Sequence, residues 1–159
     1  MSTLPSIAAI HVAKATRLPM RALDQVVAEA GKGLVGDRYH GTRHRHVTVQ
    51  SLQALAEAEE RFGREVPAHL TRRNLTLSHG EVPRTPGARL RISVVLLEVV
   101  RVAAPCKLLD DTIGRGAQEA LRHRGGSVCR VLEGGTIEVG DPVVEVQALA
   151  TTSSVTSTT

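Results

Sequence analysis

Apolar and polar positions along this chain change period several times, and each change marks an element. Residues 7–13, Ile-Ala-Ala-Ile-His-Val-Ala, do not alternate strictly but are rich enough in β-branched side chains to predict a first strand. Pro19 turns the chain between Lys14 and Arg21. Gln25 to Glu29 and His46 to Gln50 are further strand candidates, and the segment between them, with Gly33, Gly36 and Gly41, is too glycine-rich for regular structure. From Ser51 the period lengthens. Leu52, Leu55, Ala56 and Phe62 recur at helical spacing, Glu57, Glu59 and Glu60 occupy the other face, and Gly63 stands where a helix would stop. The pattern predicts a helix of about three turns. After Pro67 strand chemistry returns at 75–77, 88–92 and 94–102, and a shorter helix is predicted over 116–123. Strands at 128–132 and 136–139 read as a hairpin joined through Gly134-Gly135, and a last strand follows at 143–149. Many short strands with few helices predict a mainly β fold, a barrel or a sandwich. Residues 151–159 are Ser and Thr apart from Val155, so one domain over 1–149 is expected, followed by a disordered Ser/Thr-rich tail at 150–159.

Size and composition narrow the function. A chain of 159 residues is by default one domain with one ordinary core. Its apolar runs fall far short of the ~20 residues a membrane helix needs. The N-terminus lacks the basic start and apolar stretch of a signal peptide, so a soluble, cytoplasmic protein without a membrane partner is expected. The two cysteines then read as reduced thiols. Of the 20 basic residues, 17 are Arg and only 3 are Lys, with a net charge of +4. An arginine bias points to anion recognition, because the planar guanidinium pairs bidentately with phosphate or carboxylate. Nucleic acid is one such anion, and a non-catalytic basic β-barrel that binds it is the alternative reading. Against it, Tyr39 and Phe62 are the only aromatic residues available for base stacking, so a small phosphorylated ligand fits better.

Three local patterns could carry chemistry. Cys106 follows Pro105 at a strand end, and Lys107 beside it supplies positive charge that favours a thiolate, whereas Asp110 and Asp111 would oppose it if close in space. From these residues alone, Cys106 is either a usable nucleophile or sulfur carrier, or a small apolar residue ending a strand. Cys129 shares a strand face with Val131 and opposes Arg130, which predicts a core thiol. The second pattern is the basic loop with Arg38, His40, Arg43, His44, Arg45 and His46. His44 and His46 have a His-x-His spacing used by zinc sites, but no carboxylate or Cys-x-x-Cys partner lies nearby and three arginines would repel a cation, so no zinc is expected. Gly33, Gly36 and Gly41 instead make the loop a candidate phosphate cradle of backbone amides, although it lacks the ending of a P-loop. The third is Thr71-Arg72-Arg73-Asn74 ahead of the strand at 75–77, guanidiniums again at a strand mouth, where Asn74 would either orient a ligand or, more simply, close a turn.

Taken in order, Gly33-Leu34-Val35-Gly36-Asp37-Arg38, Arg45-His46-Val47-Thr48-Val49, Arg73-Asn74-Leu75, Pro105-Cys106, Gly125-Gly126 and Gly135 to Asp141 resemble the MOSC domain, found at the C-terminus of molybdenum cofactor sulfurases and in stand-alone bacterial proteins. The resemblance spans about residues 5–147. It implies a closed, mostly antiparallel β-barrel with a few short helices, and a protein that binds the molybdenum cofactor (molybdopterin) or carries sulfur as a persulfide. A molybdoenzyme reducing N-hydroxylated compounds is a further implied activity. By position, Cys106 corresponds to the family's cysteine, expected to hold sulfur or to ligate molybdenum. Gly36, Asp37, Arg38, Arg45, Arg73, Asn74, Lys107 and Gly126 are the expected cofactor-binding residues. The length leaves no room for the pyridoxal-phosphate desulfurase domain of the large sulfurases. Pyridoxal phosphate therefore enters by family association only, and a separate sulfur donor such as a cysteine desulfurase, or a redox partner, is expected. Ser93 stands where many relatives carry glycine between two strands.

Overall fold

Burial follows the predicted alternation most closely where strands are half covered. In the computed structural model, which describes residues 4–146, β1 is Ile7–Val12, β2 is Arg21–Leu23, β3 is Gln25–Glu29, β4 is Gly33–Leu34 and β5 is Val47–Ser51. In β3, Val26 and Ala28 are buried while Gln25, Val27 and Glu29 are exposed. Helix α1, Leu52–Phe62, begins and ends as its sequence predicts. The Ser51 hydroxyl accepts a hydrogen bond from the Ala54 amide, and Gly63 closes the helix with φ 77° and its N–H on the Glu59 carbonyl. Its inward stripe is Leu55, Ala58 and the part-buried Phe62, whereas Leu52 and Ala56 are exposed. A 3₁₀ turn at Ala68–Leu70 leads to β6, Leu75–Leu77, which runs parallel to β5, so α1 lies in the crossover that two parallel neighbours require. There follow β7 (Arg89–Ile92), β8 (Val95–Val102), two short helices α2 (Leu108–Thr112) and α3 (Ala117–Ala120), then β9 (Ser127–Glu133), β10 (Gly135–Glu138) and β11 (Val143–Val146).

Eight strands form one sheet in the order β11-β7-β8-β9-β5-β6-β1-β2, and three form another in the order β10-β3-β4. The expectation of a closed barrel is therefore corrected: the fold is mainly β, with one mixed and one antiparallel sheet, and neither sheet closes on itself. Closure needs a continuous ladder between the two sides of a sheet. Here β1 meets the chain just before β11 through a single antiparallel bridge, Ser6 to Pro142, and β2 and β11 remain edges. The predicted hairpin at Gly134-Gly135 is corrected too. β9 pairs with β5 and β8, whereas β10 leaves that sheet and pairs with β3. Gly134 passes so close to β3 that a Cβ there would lie 2.6 Å from the Ala28 carbonyl oxygen, so this glycine serves a crossing between sheets. Ser93 occupies the two-residue turn between β7 and β8 with φ 56°, a conformation that glycine adopts more cheaply. The strand forecast to 149 ends its described part at Val146, and the tail at 150–159 lies outside the described residues.

The two sheets enclose the main core, with Ile10, Leu75, Ile92, Leu97 and Cys129 from the large sheet against Val26, Leu34 and Ile137 from the small one. A second apolar cluster joins α1, α2 and α3 through Leu55, Ala58, Leu109, Ala117 and Leu121. On β5 and β6, Val47, Val49, Leu75 and Leu77 belong to the main core, so the alternating Thr48, Gln50 and Thr76 form a buried polar layer on the other face. Gln50 donates to the Thr76 hydroxyl and accepts from that of Thr71. Among the described residues no helix is long and apolar enough to cross a membrane.

Candidate functional site

The strand ends that the large sheet brings together, the start of β6 and the end of β8, place Arg72, Arg73 and Cys106 in one region. The loop after β8 is fastened on both sides of the cysteine. The Ala103 amide donates to the Gly126 carbonyl, the Ala104 carbonyl accepts from Arg73, the Pro105 carbonyl from Gln118, and the Cys106 carbonyl from the Leu109 amide that starts α2. Backbone order is thus complete while the thiol of Cys106 is exposed. Asp110, a possible opponent of a thiolate, instead accepts from the Gln118 amide. Cys129 is buried among apolar residues, which pushes its thiol up to about 12, as expected for a core position.

Arg73 is the centre of the charge. Only 5% exposed, it donates from Nε to the Gly125 carbonyl (2.9 Å) and from Nη2 to the Ala104 carbonyl (3.0 Å). Burial and then Arg45 lower its pKa to about 10, while Cys106 acts in the opposite direction. Arg72, with φ 68°, donates to the Leu18 carbonyl and is lowered by burial and by Arg38; Cys106 and Asp37 support its charge. Arg38 donates to Asp37 (3.2 Å) and to the Arg72 carbonyl, and its guanidinium lies 4.5 Å from the centre of the Tyr39 ring. Arg45 stands over the same ring at 4.3 Å, and its buried Nε has no hydrogen-bond partner. Among the described residues, the one ion pair in this group of four guanidiniums is that of Arg38 with Asp37, whose carboxylate also supports the charge of Arg72. Such an arrangement is incomplete without an anion.

Other expected site residues support this cluster without facing a ligand. The Asp37 carboxylate accepts from the Ala13 and Tyr39 amides, from Arg38 and from Asn74. Both ends of the Asn74 amide are used, Oδ1 by the Thr48 amide and hydroxyl, Nδ2 by the His11 carbonyl and Asp37. Asn74 is thus a buried clasp between β1, β5 and the 36–38 turn, neither a turn closer nor a free ligand donor. Gly126 is a packing residue: a Cβ there would lie 1.8 Å from the Val49 carbonyl oxygen. Gly36 has φ 90° with open space around it, and Lys107 is exposed at the N-terminus of α2. Most amides of the loop expected to cradle an anion are engaged by the chain itself, that of Gly36 being the exception among 35–41. The amides of Val35, Asp37, Arg38, Tyr39, His40 and Gly41 are all satisfied within the chain.

The His-x-His pair is not brought together as a metal site. His46 accepts at Nδ1 from the Val131 amide (3.0 Å), which places its proton on Nε2, where it donates to the Thr42 carbonyl (2.8 Å). Among the described residues, no group of three or more His, Cys, Asp or Glu side chains could hold a metal ion. Burial lowers the His46 pKa, and burial followed by His69 lowers that of His11. The unfolded chain thus binds more protons than the folded one below pH ~6.5, so stability is full above that pH and falls as pH drops toward the folded values. Unfolding free energies from denaturant titrations between pH 7.5 and 5 should fall by up to about 1.4 kcal/mol per pH unit for each of the two histidines, and His46→Gln should flatten that slope.

Two contributors were under-read from sequence. Arg72 stood only as part of a basic block, although its adjacency to Arg73 was visible, and Tyr39 counted only as a scarce aromatic. Its place between Arg38 and Arg45 in a basic loop is the signal that marks it.

Solved structures share this arrangement of strands. YuaD from Bacillus subtilis matches with a TM-score of 0.80 at 16% identity, over 89% of this chain and 94% of that one. YiiM from Geobacillus stearothermophilus matches with 0.72 at 22% identity, over 90% and 75%. YiiM from Escherichia coli gives 0.66 at 18%, over 91% and 70%. At these identities the likeness is one of fold. No curated protein matches the chain in sequence. A family model for the MOSC domain matches residues 36–144, from the turn that holds Asp37 and Arg38 through Cys106 to β11, and the chain belongs to the MOSC domain family.

Proposed function

We propose that this protein binds the molybdenum cofactor, with Cys106 as the sulfur that meets the metal and the arginine cluster as the seat of the cofactor's phosphate. The observation that carries this reading is an exposed cysteine whose charge bears on Arg72 and Arg73, in a group of four guanidiniums with one ion-paired carboxylate, Asp37. The donor set fits the group: a thiolate is a soft ligand suited to molybdenum, and guanidinium forks suit phosphate. The unpartnered Nε of Arg45 is a donor still to be used. When bound, the cofactor supplies a centre for two-electron redox chemistry. The chain's own part is to hold the phosphate with Arg45 and Arg73, to keep Arg38 and Arg72 in place through Asp37, Tyr39 and Leu18, and to present Cys106 on a fixed loop. An open groove of about 760 Å³ adjoins that loop at Val102, Ala103, Ala104 and Pro105, on the side away from Cys106 and the four arginines, none of which line it. Reduction of N-hydroxylated compounds is the turnover this reading accommodates, with electrons from a separate redox partner. Binding of nucleic acid draws no support from these arginines, because Arg38, Arg72 and Arg73 turn inward onto carbonyl oxygens.

A second reading, sulfur carriage as a persulfide on Cys106, is favoured by the exposure of this cysteine on a loop whose carbonyls at 104–106 are engaged. Protein isolated from a host that makes the cofactor should contain molybdenum and pterin, or cyanide-labile sulfur under the second reading. Cys106→Ser should lose the molybdenum or the sulfur. A wild type that carries none of these, or a mutant that keeps them, contradicts the assignment.

A further inference from the structure

We propose that Cys106 takes its sulfur from a sulfane sulfur borne on a sulfur oxyanion, of which inorganic thiosulfate is the simplest, with Arg73 and Arg45 holding the oxyanion as it leaves. This rests on the sulfur-carrier reading and names the donor for it.

An exposed cysteine alone would mark nothing. What distinguishes this one is the unspent donor capacity beside it. Arg73 is 5% exposed and fixed by two carbonyls, one of them two residues before Cys106, and its third nitrogen, Nη1, has no hydrogen-bond partner among the described residues. Arg45 contributes a buried Nε with no partner and is held over Tyr39 without a hydrogen bond from its guanidinium to the protein. Arg45 and Arg73 act on one another as like charges, Cys106 favours the charge of Arg73, and among the described residues neither guanidinium is ion-paired with a carboxylate. A dianion with several oxygens satisfies both their charge and their N–H groups.

Sulfur donors differ in what departs. When the donor is a cysteine persulfide on another protein, a thiolate leaves, and it has no oxygen to accept a guanidinium fork. When the donor is thiosulfate, the departing group is sulfite, a dianion with three oxygens. Charge builds on those oxygens as the sulfur–sulfur bond breaks, and prepositioned guanidiniums lower that barrier. The step balances without any oxidant. The Cys106 thiol gives its proton to solvent, and its thiolate attacks the sulfane sulfur and forms the new S–S bond. The old S–S bond breaks with its electron pair on sulfite, leaving Cys106 as a persulfide. A nucleophilic acceptor such as cyanide then removes the outer sulfur as thiocyanate and restores the thiolate.

The test uses the full protein, cleared of bound sulfur with cyanide, desalted and mixed with thiosulfate. The Cys106 peptide should gain the mass of one sulfur atom with release of one equivalent of sulfite, and Cys106→Ser should gain none. Arg45→Met, which keeps an apolar stem on Tyr39, should load about 10- to 100-fold more slowly from thiosulfate. The same variant should keep the wild-type urea midpoint, which shows that it is folded, and should lose less rate with inorganic polysulfide, whose leaving group is no oxyanion, than with thiosulfate. Equal thiosulfate rates for Arg45→Met and wild type would overturn the role of the arginines. If thiosulfate fails while freshly isolated protein carries cyanide-labile sulfur on Cys106, the donor is wrong and sulfur carriage stands. If thiosulfate fails and isolated protein carries no such sulfur, sulfur carriage falls with it.

Discussion

Gly126→Ala should leave the protein largely unfolded at ambient temperature, a loss of at least about 4 kcal/mol. Three effects coincide at this position. The backbone has φ 86°, which costs an L-residue roughly 1–2 kcal/mol. A Cβ would lie 1.8 Å from the Val49 carbonyl oxygen and 2.8 Å from its carbon, and the obstacle is the backbone of central strand β5, which cannot turn aside as a side chain can. Gly126 also accepts the Ala103 amide, and Gly125 beside it accepts Arg73, so displacing this turn disturbs the loop of Cys106 and the anchor of the arginine cluster together. Gly36→Ala is the matched control. Its φ of 90° brings a similar conformational cost, but open space surrounds it, so only about 1–2 kcal/mol should be lost. Urea denaturation of both variants compares them directly; equal losses would refute the steric account of Gly126.

Replacing Asp37 by Asn should cost about 3–5 kcal/mol although the side chain keeps its size. The carboxylate is buried, accepts from two backbone amides and two side chains, pairs with Arg38 and supports the charge of Arg72. Asparagine can accept at one oxygen only, and its NH₂ would face the donors of Tyr39 or Asn74. The four guanidiniums would then have no carboxylate among them. A specific consequence separates this from general damage: added phosphate, by filling the pocket, should recover more stability in Asp37→Asn than in wild type. Thermal denaturation with and without phosphate at constant ionic strength measures this, and equal gains would contradict it.

Elements whose stability is written locally were legible before any coordinates. Helix α1 carries both of its caps, Ser51 and Gly63, and β3 and β6 have the bounds their apolar patterns predict. β2, β4 and α2 were not predicted, because two to five residues hold no period and these pieces exist by pairing or packing on neighbours. The hairpin at Gly134-Gly135 was misread for a different reason. Glycine permits a tight turn and a close crossing equally, and only the nearness of Ala28 decides between them. Closure of the barrel was likewise a property of the two sheet edges, which no local pattern encodes.

For the site, the structure brings Pro105-Cys106-Lys107 into one region with Arg72 and Arg73. Local sequence could not distinguish residues that face a ligand from those that hold them. Asp37 and Asn74 have the chemistry of binding residues, yet every acceptor and donor they own is spent inside the fold. Arg45 is the converse case, with a buried nitrogen still unpartnered. Counting satisfied hydrogen bonds is what sorts these positions, and that count needs partners distant in sequence.

The claim that Cys106 works beside an anion-binding arginine cluster is tested most directly by the rate at which iodoacetamide labels it in native protein as inorganic phosphate is raised at constant ionic strength. Peptide mapping should find Cys106 labelled and the buried Cys129 untouched. The rate at Cys106 should fall severalfold as phosphate fills the arginine cluster, and Arg45→Met should weaken that protection. A labelling rate for Cys106 that is the same at every phosphate concentration would contradict the account.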